Sequence, residues 1–132
     1  MATAGYSGTP LAKKLGIKTA SRVALIGAPR GFQTELEGLP DGVRFQTAMT
    51  PNPDLTVWFV HSRRELEGRV GELAMLVGAG LWVAWPKKAS GVKTDVTEDV
   101  IRAAGLAHGL VDYKVCAINA VWSGLKFAKR KS

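Results

Sequence analysis

The sequence predicts an α/β domain built on a mainly parallel sheet, with helices on both faces and an antiparallel hairpin at the end. Three observations carry this. Runs of apolar residues too continuous for a half-exposed strand, Val23 to Ile26, Leu55 to Val60 and Leu81 to Trp85, recur along the chain. Segments with capping signals and helical spacing separate them. A last pair of apolar runs, Val111 to Ile118 and Val121 to Ala128, is joined by only Asn119-Ala120, short enough for a hairpin.

Taken in order, Thr9-Pro10-Leu11-Ala12-Lys13-Lys14-Leu15-Gly16 reads as a short helix, with Thr9 as N-cap, Pro10 at the first helical position and Gly16 as the stop. Arg22 to Gly27 is the first strand and belongs in the middle of the sheet. Gly31 to Leu39 forms a short helix through Phe32, Leu36 and Leu39, and Pro40-Asp41-Gly42 turns the chain into a weaker strand, Val43 to Thr47. Pro51-Asn52-Pro53-Asp54 breaks the chain before the strand Leu55 to Val60.

Ser62-Arg63-Arg64-Glu65 is a capping box, in which the serine and glutamate oxygens satisfy N–H groups at a helix start. Leu66, Val70, Leu73, Ala74 and Val77 follow at helical spacing until Gly78-Ala79-Gly80 stops them, and Leu81 to Pro86 is the next strand. A lysine-rich loop leads to a helix capped by Asp95 or Thr97, with Val100, Ile101, Ala104 and Ala107 on its buried face and its end near Gly109. Strands alternating with helices require right-handed crossovers. The expected architecture is therefore a Rossmann-like three-layer sandwich with a C-terminal antiparallel hairpin strand.

Length and charge narrow the classes further. The 132 residues, 46% hydrophobic and 22% charged, fit a single domain, 1–132, with a real core. The longest uncharged stretch, Leu73 to Pro86, has 14 residues and two glycines, short of the roughly 20 a membrane helix needs. The N-terminus lacks a signal-peptide pattern, so a cytoplasmic location is expected. With Cys116 as the single cysteine, an intramolecular disulfide and a multi-cysteine metal site are excluded. The net charge of +7 resides in the ends: four basic residues, Lys13, Lys14, Lys18 and Arg22, precede the first acid and four more, Lys126, Lys129, Arg130 and Lys131, close the chain. Residues 23–125 hold 10 basic and 11 acidic groups, a net of −1.

Ligands of open parallel sheets bind beyond the carboxyl ends of the strands, where strand order reverses. That places four segments on one edge: Gly27 with Ala28-Pro29-Arg30-Gly31, then His61-Ser62-Arg63, then Lys87 to Lys93 with Lys88, Ser90 and Gly91, and lastly Asn119 to Trp122. Arg30, Arg63, Lys87, Lys88 and Lys93 make this edge attractive to an anion, since arginine grips carboxylate or phosphate bidentately and lysine adds point charge. A solvated lysine loop explains the same residues. His61 is the best-placed group for proton transfer, with no partner legible: Asp54 lies at the opposite end of the same strand and Ser62 is used as a cap. Trp122 could stack on a planar ligand. Trp58 and Trp82 read as core, Trp85 as a pocket wall, His108 as a helix-end contact and Cys116 as a small buried hydrophobe. No metal-ligand spacing, paired carboxylates, P-loop or nucleophile elbow is present.

The stretch Pro53 to Val60, the helix after it, and Leu76-Val77-Gly78-Ala79-Gly80-Leu81-Trp82-Val83 resemble the middle of the class I S-adenosylmethionine-dependent methyltransferases. There an Asp opens a strand, a helix crosses and a glycine turn leads to the next strand. Val121-Trp122-Ser123-Gly124-Leu125-Lys126-Phe127 resembles that family's final antiparallel hairpin. The likeness covers roughly two thirds of the chain and implies a cofactor site beside Gly27 to Gly31. Of the family's acidic residue and Gly-x-Gly-x-Gly turn, Gly27 and Gly31 remain; no acid ends the second strand near Thr47, and the chain is one strand-helix unit short. Leu81 to Gly91, Thr97-Glu98-Asp99 and Trp122-Ser123-Gly124-Leu125 also resemble a family of short bacterial proteins of unassigned function, which implies a fold and no chemistry.

The residues thus point first to a non-catalytic module binding an anionic small molecule, a nucleotide or phosphate. Its alternative is a diverged methyltransferase-like enzyme, and a third reading is nucleic-acid or protein docking through the basic termini. The cofactor is unassigned. An exposed last strand leaves a homodimer open.

Overall fold

In the computed structural model, which describes residues 9–49, 52–76 and 80–130, the chain runs α1 (Leu11–Leu15), β1 (Arg22–Ile26), α2 (Phe32–Glu35), β2 (Arg44–Gln46), β3 (Leu55–Phe59), α3 (Arg63–Leu76), β4 (Leu81–Pro86), α4 (Glu98–Ala107), β5 (Leu110–Ala117) and β6 (Trp122–Lys129). The six strands form one sheet in the order β2-β1-β3-β4-β6-β5. β2, β1, β3 and β4 pair in parallel, whereas β6 runs antiparallel between β4 and β5. This is the Rossmann-like sandwich with a C-terminal antiparallel hairpin. Among the described residues no helix is long and apolar enough to cross a membrane.

Strand alternation sorts the core into two layers. Ala24, Ile26, Trp58, Val83 and Trp85 face Leu66, Val70 and Leu73 of α3 and Ile101 of α4. On the other side Val23, Leu25, Val57, Phe59 and Trp82 pack with Ala12 and Leu15 of α1 and Phe32 of α2. All residues of β3 and β4 are buried, as their unbroken apolar runs require when both faces are covered. The buried Trp82 indole donates to the Leu15 carbonyl at 2.8 Å, tying α1 to the sheet. α4 lies so close to β6 that a Cβ on Gly105 would fall 2.3 Å from the Phe127 ring.

Several local expectations are corrected. The Thr9 side chain caps nothing; Pro10 is the N-cap residue and α1 starts at Leu11. Gly16 does end that helix in the left-handed region. The helix expected to reach Leu39 is a single turn, because Leu36 becomes extended to bury its side chain in the core. Leu39 is left exposed. Ala107 is also exposed, since the chain turns at His108 one residue beyond it. Thr97 caps α4, accepting from the Val100 amide at 3.2 Å. Asp95 instead accepts from the Arg63 amide at 2.7 Å and so caps α3. Ser62 caps α3 as predicted, but Glu65 reaches the His61 amide rather than that of Ser62, a box displaced by one residue. The expected stop at Gly78-Ala79 and the side chain of Val77 lie outside the described residues.

Candidate functional site

β1 has β2 on one side and β3 on the other, so the order of crossovers reverses at its carboxyl end. A crevice there is what this topology provides. Gly27 ends β1 with φ of +68°, and a Cβ on it would stand 3.0 Å from the Phe59 carbonyl oxygen of β3. Only glycine permits that combination of left-handed backbone and close approach. Gly31, φ +81°, then starts α2.

Between this turn and the end of β2 lies a cavity of about 350 Å³, walled by Leu25, Pro29 and Phe32 and edged by the polar side chains of Gln33 and Thr47. Gly27 and Gly31 line it and Arg30 does not. No carboxylate is among its lining residues.

A larger cavity of about 1010 Å³ opens between the end of β4 and the start of α4. Lys87, Lys88, Gly91 and Lys93 line it, together with His61, Trp85 and Ser123 of β6. Its two carboxylates are occupied: Asp95 caps α3 and Glu98 pairs with Arg102. Among the described residues none of the three lysines has an ion-pair partner. The loop that carries them is fixed from within. The Ser90 hydroxyl donates to the Lys87 carbonyl at 2.6 Å and accepts from the Val92 amide, while Thr94 donates to the His61 carbonyl at 2.8 Å. Ser90 therefore shapes the loop and is not among the cavity's lining residues.

His61 is 57% exposed at its side chain, with Nδ1 3.6 Å from a Glu65 oxygen. Its ring meets Trp122 edge-on at 5.1 Å, Trp122 meets Phe59 at 5.0 Å, and Phe59 meets Phe32 at 4.8 Å. A chain of T-shaped contacts thus runs along the α1/α2 face of the sheet from a wall residue of the small cavity, Phe32, to one of the large cavity, His61. Asn119 braces it: its side chain accepts from the Val121 and Trp122 amides at 2.9 Å and donates to Glu35 of α2 at 2.9 Å.

The residues expected to share one edge are divided between the two cavities. Gly27 and Gly31 line the smaller cavity, beside α2, and His61, Lys87, Lys88, Gly91 and Lys93 line the larger one, beside the start of α4. Four of the predicted residues line neither cavity: Arg30 and Ser90, and also Arg63 and Trp122. Arg63 lines a separate groove between α3 and α4, where a 2.9 Å bond to Glu67 holds its guanidinium more firmly charged than usual. Trp122 is 6% exposed and packed among aromatic rings, leaving it no open face for a ligand. Asp54, at the far end of β3 as expected, accepts from the Arg22 amide. His108 is the C-cap of α4, its Nδ1 3.0 Å from the Ala104 carbonyl. Gln33 and Ser123 were not singled out from sequence, and Thr47 was named only as the end of the second strand. Thr47 alone had a signal, its position at a strand's carboxyl end.

No protein-family model and no curated protein matches the sequence, so the resemblance to short bacterial proteins gains no support. Solved structures do match. The ribosomal protein L11 methylase of Lactobacillus delbrueckii subsp. bulgaricus is similar with a TM-score of 0.54 and 11% identity, over 92% of this chain and 76% of that one. Magnesium protoporphyrin IX methyltransferase from Synechocystis PCC 6803 with bound SAM gives 0.57 and 11%, over 92% and 74%. A putative sarcosine dimethylglycine methyltransferase from Galdieria sulphuraria gives 0.56 and 13%, over 91% and 84%. At these identities the likeness is one of fold, and the fold is the Rossmann-like one of the methyltransferases.

Proposed function

We propose that the chain is a methyltransferase-like protein that binds an S-adenosyl compound in the glycine-turn cavity and an anionic acceptor among Lys87, Lys88 and Lys93. The observation that carries this reading is Gly27: a left-handed glycine pressed against the neighbouring strand's carbonyl, opening a cavity at the switch point. That the similar structures are methyltransferases, one with bound SAM, supports it over the binding-only reading that the sequence put first.

The residues fit the adenosyl part of such a ligand. Leu25 and Phe32 offer apolar walls to a planar base, Thr47 and Gln33 offer hydrogen bonds to ribose hydroxyls, and the volume of about 350 Å³ falls within the roughly 300–1,000 Å³ of small-molecule pockets. When bound, the methyl donor supplies an electrophilic methyl group. The protein's own part is placement and charge. Gly27 and His61 stand at the ends of adjacent strands, so a ligand lying across the edge connects the two cavities. Nε2 of His61 has no hydrogen bond among the described residues and can take a proton from an acceptor in the large cavity.

The second reading, an anion-binding module without catalysis, is favoured by the absence of a carboxylate along the small cavity and by the three unpaired lysines of the large one. Thermal-shift and calorimetric titrations of the full chain separate the two. A ligand at 100 times its dissociation constant adds about 2.7 kcal/mol to stability. The methyltransferase-like reading expects stabilisation by S-adenosylmethionine or S-adenosylhomocysteine that Thr47→Arg abolishes by filling the small cavity. Stabilisation by ATP or inorganic phosphate alone, lost in Lys87→Gln/Lys88→Gln, supports the second. Silence with every compound at millimolar concentration refutes both.

A further inference from the structure

The basic ends of the sequence contribute to a surface that neither cavity uses. On the face of the sheet covered by α1, Lys14 donates to the Ala117 carbonyl at 3.2 Å and Lys114 of β5 donates to the Lys14 carbonyl at 3.2 Å. Lys126 of β6 reaches the Leu15 carbonyl at 3.5 Å, with its ammonium 5.6 Å from the centre of the Trp82 ring and 5.8 Å from that of Tyr113. Lys18 lies within electrostatic reach: it and Lys114 lower the Lys126 pKa from its usual value, after the larger effect of burial. Each ammonium has three donors and a carbonyl takes one. The positive charge is therefore left unbalanced, since no lysine is in an ion pair among the described residues. Asp112, the one carboxylate on β5, bonds Arg102 of α4 on the other face.

At this patch stands an exposed aromatic ring. The register shift between Asp112 and Lys114 leaves Tyr113 without a partner residue on β6, and Tyr113 is 56% exposed. Packing does not account for a ring so open. Cations on extended stems around an aromatic face are what a single-stranded nucleic acid needs, the lysines meeting phosphates and the ring stacking on an unpaired base. Duplex DNA is disfavoured because the patch has no protruding helix or ribbon to enter a major groove.

We propose that Lys14, Lys18, Lys114 and Lys126 with Tyr113 form a docking surface for single-stranded nucleic acid, separate from the strand-end cavities. The charge complementarity argues for a polyanion, and the open ring argues for one with free bases. The surface is independent of any ligand of the cavities.

Fluorescence anisotropy of the full chain with a fluorescein-labelled 20-nucleotide poly(U) tests this. With four phosphate contacts, log affinity falls against log salt with a slope of about −2.8, taking about −0.7 per contact for single strands. Lys18→Gln/Lys114→Gln halves that slope to about −1.4. Tyr113→Ala, at an exposed site, weakens binding at least about five-fold with the slope kept. Arg44→Gln/Arg69→Gln, which removes the same charge elsewhere, leaves both affinity and slope unchanged. Circular dichroism confirms that each variant is folded. The proposal is overturned by no binding at 50 mM salt, by equal loss in the Arg44/Arg69 variant, or by an unchanged affinity in Tyr113→Ala. Competition by poly-glutamate as effective as by unlabelled oligonucleotide overturns it in favour of an acidic protein partner.

Discussion

Replacing Gly105 by alanine tests how closely α4 is seated on the sheet. In an exposed helix interior the change stabilises by about 0.8–1.0 kcal/mol, because alanine has less backbone freedom to lose. Here the new Cβ would stand 2.3 Å from Cε1, 2.8 Å from Cζ and 2.9 Å from Cδ1 of Phe127. Phe127 is 1% exposed, and its ring cannot swing away without displacing the core. Overpacking of this kind costs about 1–3 kcal/mol, so the clash outweighs the propensity gain and the net loss is about 1 kcal/mol. Urea titration followed by tryptophan fluorescence reads the midpoint. Phe127→Leu removes the edge that the Cβ strikes, so Gly105→Ala should be less damaging in that background. The coupling energy of the cycle is expected at about 0.5–3 kcal/mol in the relieving direction. A neutral or stabilising Gly105→Ala, or strictly additive effects, would show that α4 sits farther from β6 than described.

Trp82→Phe removes the indole donor from the Leu15 carbonyl, which Lys126 still reaches at 3.5 Å, and is expected to cost about 0.5–1.5 kcal/mol; urea denaturation measures it, and α1 should exchange its amide hydrogens faster. Asp95→Ala removes the acceptor for the Arg63 amide and costs about 1 kcal/mol, with Asp95→Asn retaining most of the stability; hydrogen exchange at Arg63 reports it. Cys116 is half-buried, and burial raises its thiol pKa while Lys14, Lys114 and Lys126 oppose this more weakly. Iodoacetamide should therefore alkylate it more slowly in the folded chain than in urea at pH 8, with the rate still climbing above the usual midpoint near 8.5. A raised folded pKa also means that this group's contribution to stability is present below the unfolded pKa and lost as pH rises through the folded one. The difference in urea midpoint between the native chain and Cys116→Ala should accordingly shift against the native chain at alkaline pH.

The strands were legible because burial on both faces leaves no room for polar residues, so Val23 to Ile26, Leu55 to Val60 and Leu81 to Trp85 announce themselves by composition. The hairpin was visible for a different reason, the two-residue Asn119-Ala120 connection between its runs, since β5 itself is largely exposed. What escaped depended on distant partners. Asp95 looks like a cap for the helix next to it, yet it serves α3, 32 residues back, because its loop folds against that helix start. Leu36 continues a helical pattern but is recruited by the core and ends the helix. Of the residues expected on one edge, Gly27 and Gly31 line one cavity and Lys87, Lys88 and Lys93 another. Sequence order alone does not show that division. The lysines near the two ends looked like unrelated tails, and only the packing of α1 across β4 and β6 brings Lys14 toward Lys114 and Lys126.

The distribution of charge then separates structural from available groups. Every ion pair among the described residues uses Arg63, Arg69, Arg102 or His61. Arg102 alone gathers Glu98, Asp99 and Asp112, joining α4 to β5. The guanidinium suits this, since its planar fork meets several carboxylates in fixed directions. The lysines take backbone carbonyls or none. A carbonyl satisfies a donor without neutralising the charge, so the field outside the protein is set mostly by lysine even though arginine is well represented. Anion affinity should follow that division: lysine changes near the large cavity or near Tyr113 alter binding and its salt dependence, whereas Arg102→Gln alters the docking of α4. If Arg102→Gln instead weakened anion binding while leaving the urea midpoint unchanged, the division would be wrong and the lysines would be only a solvated fringe.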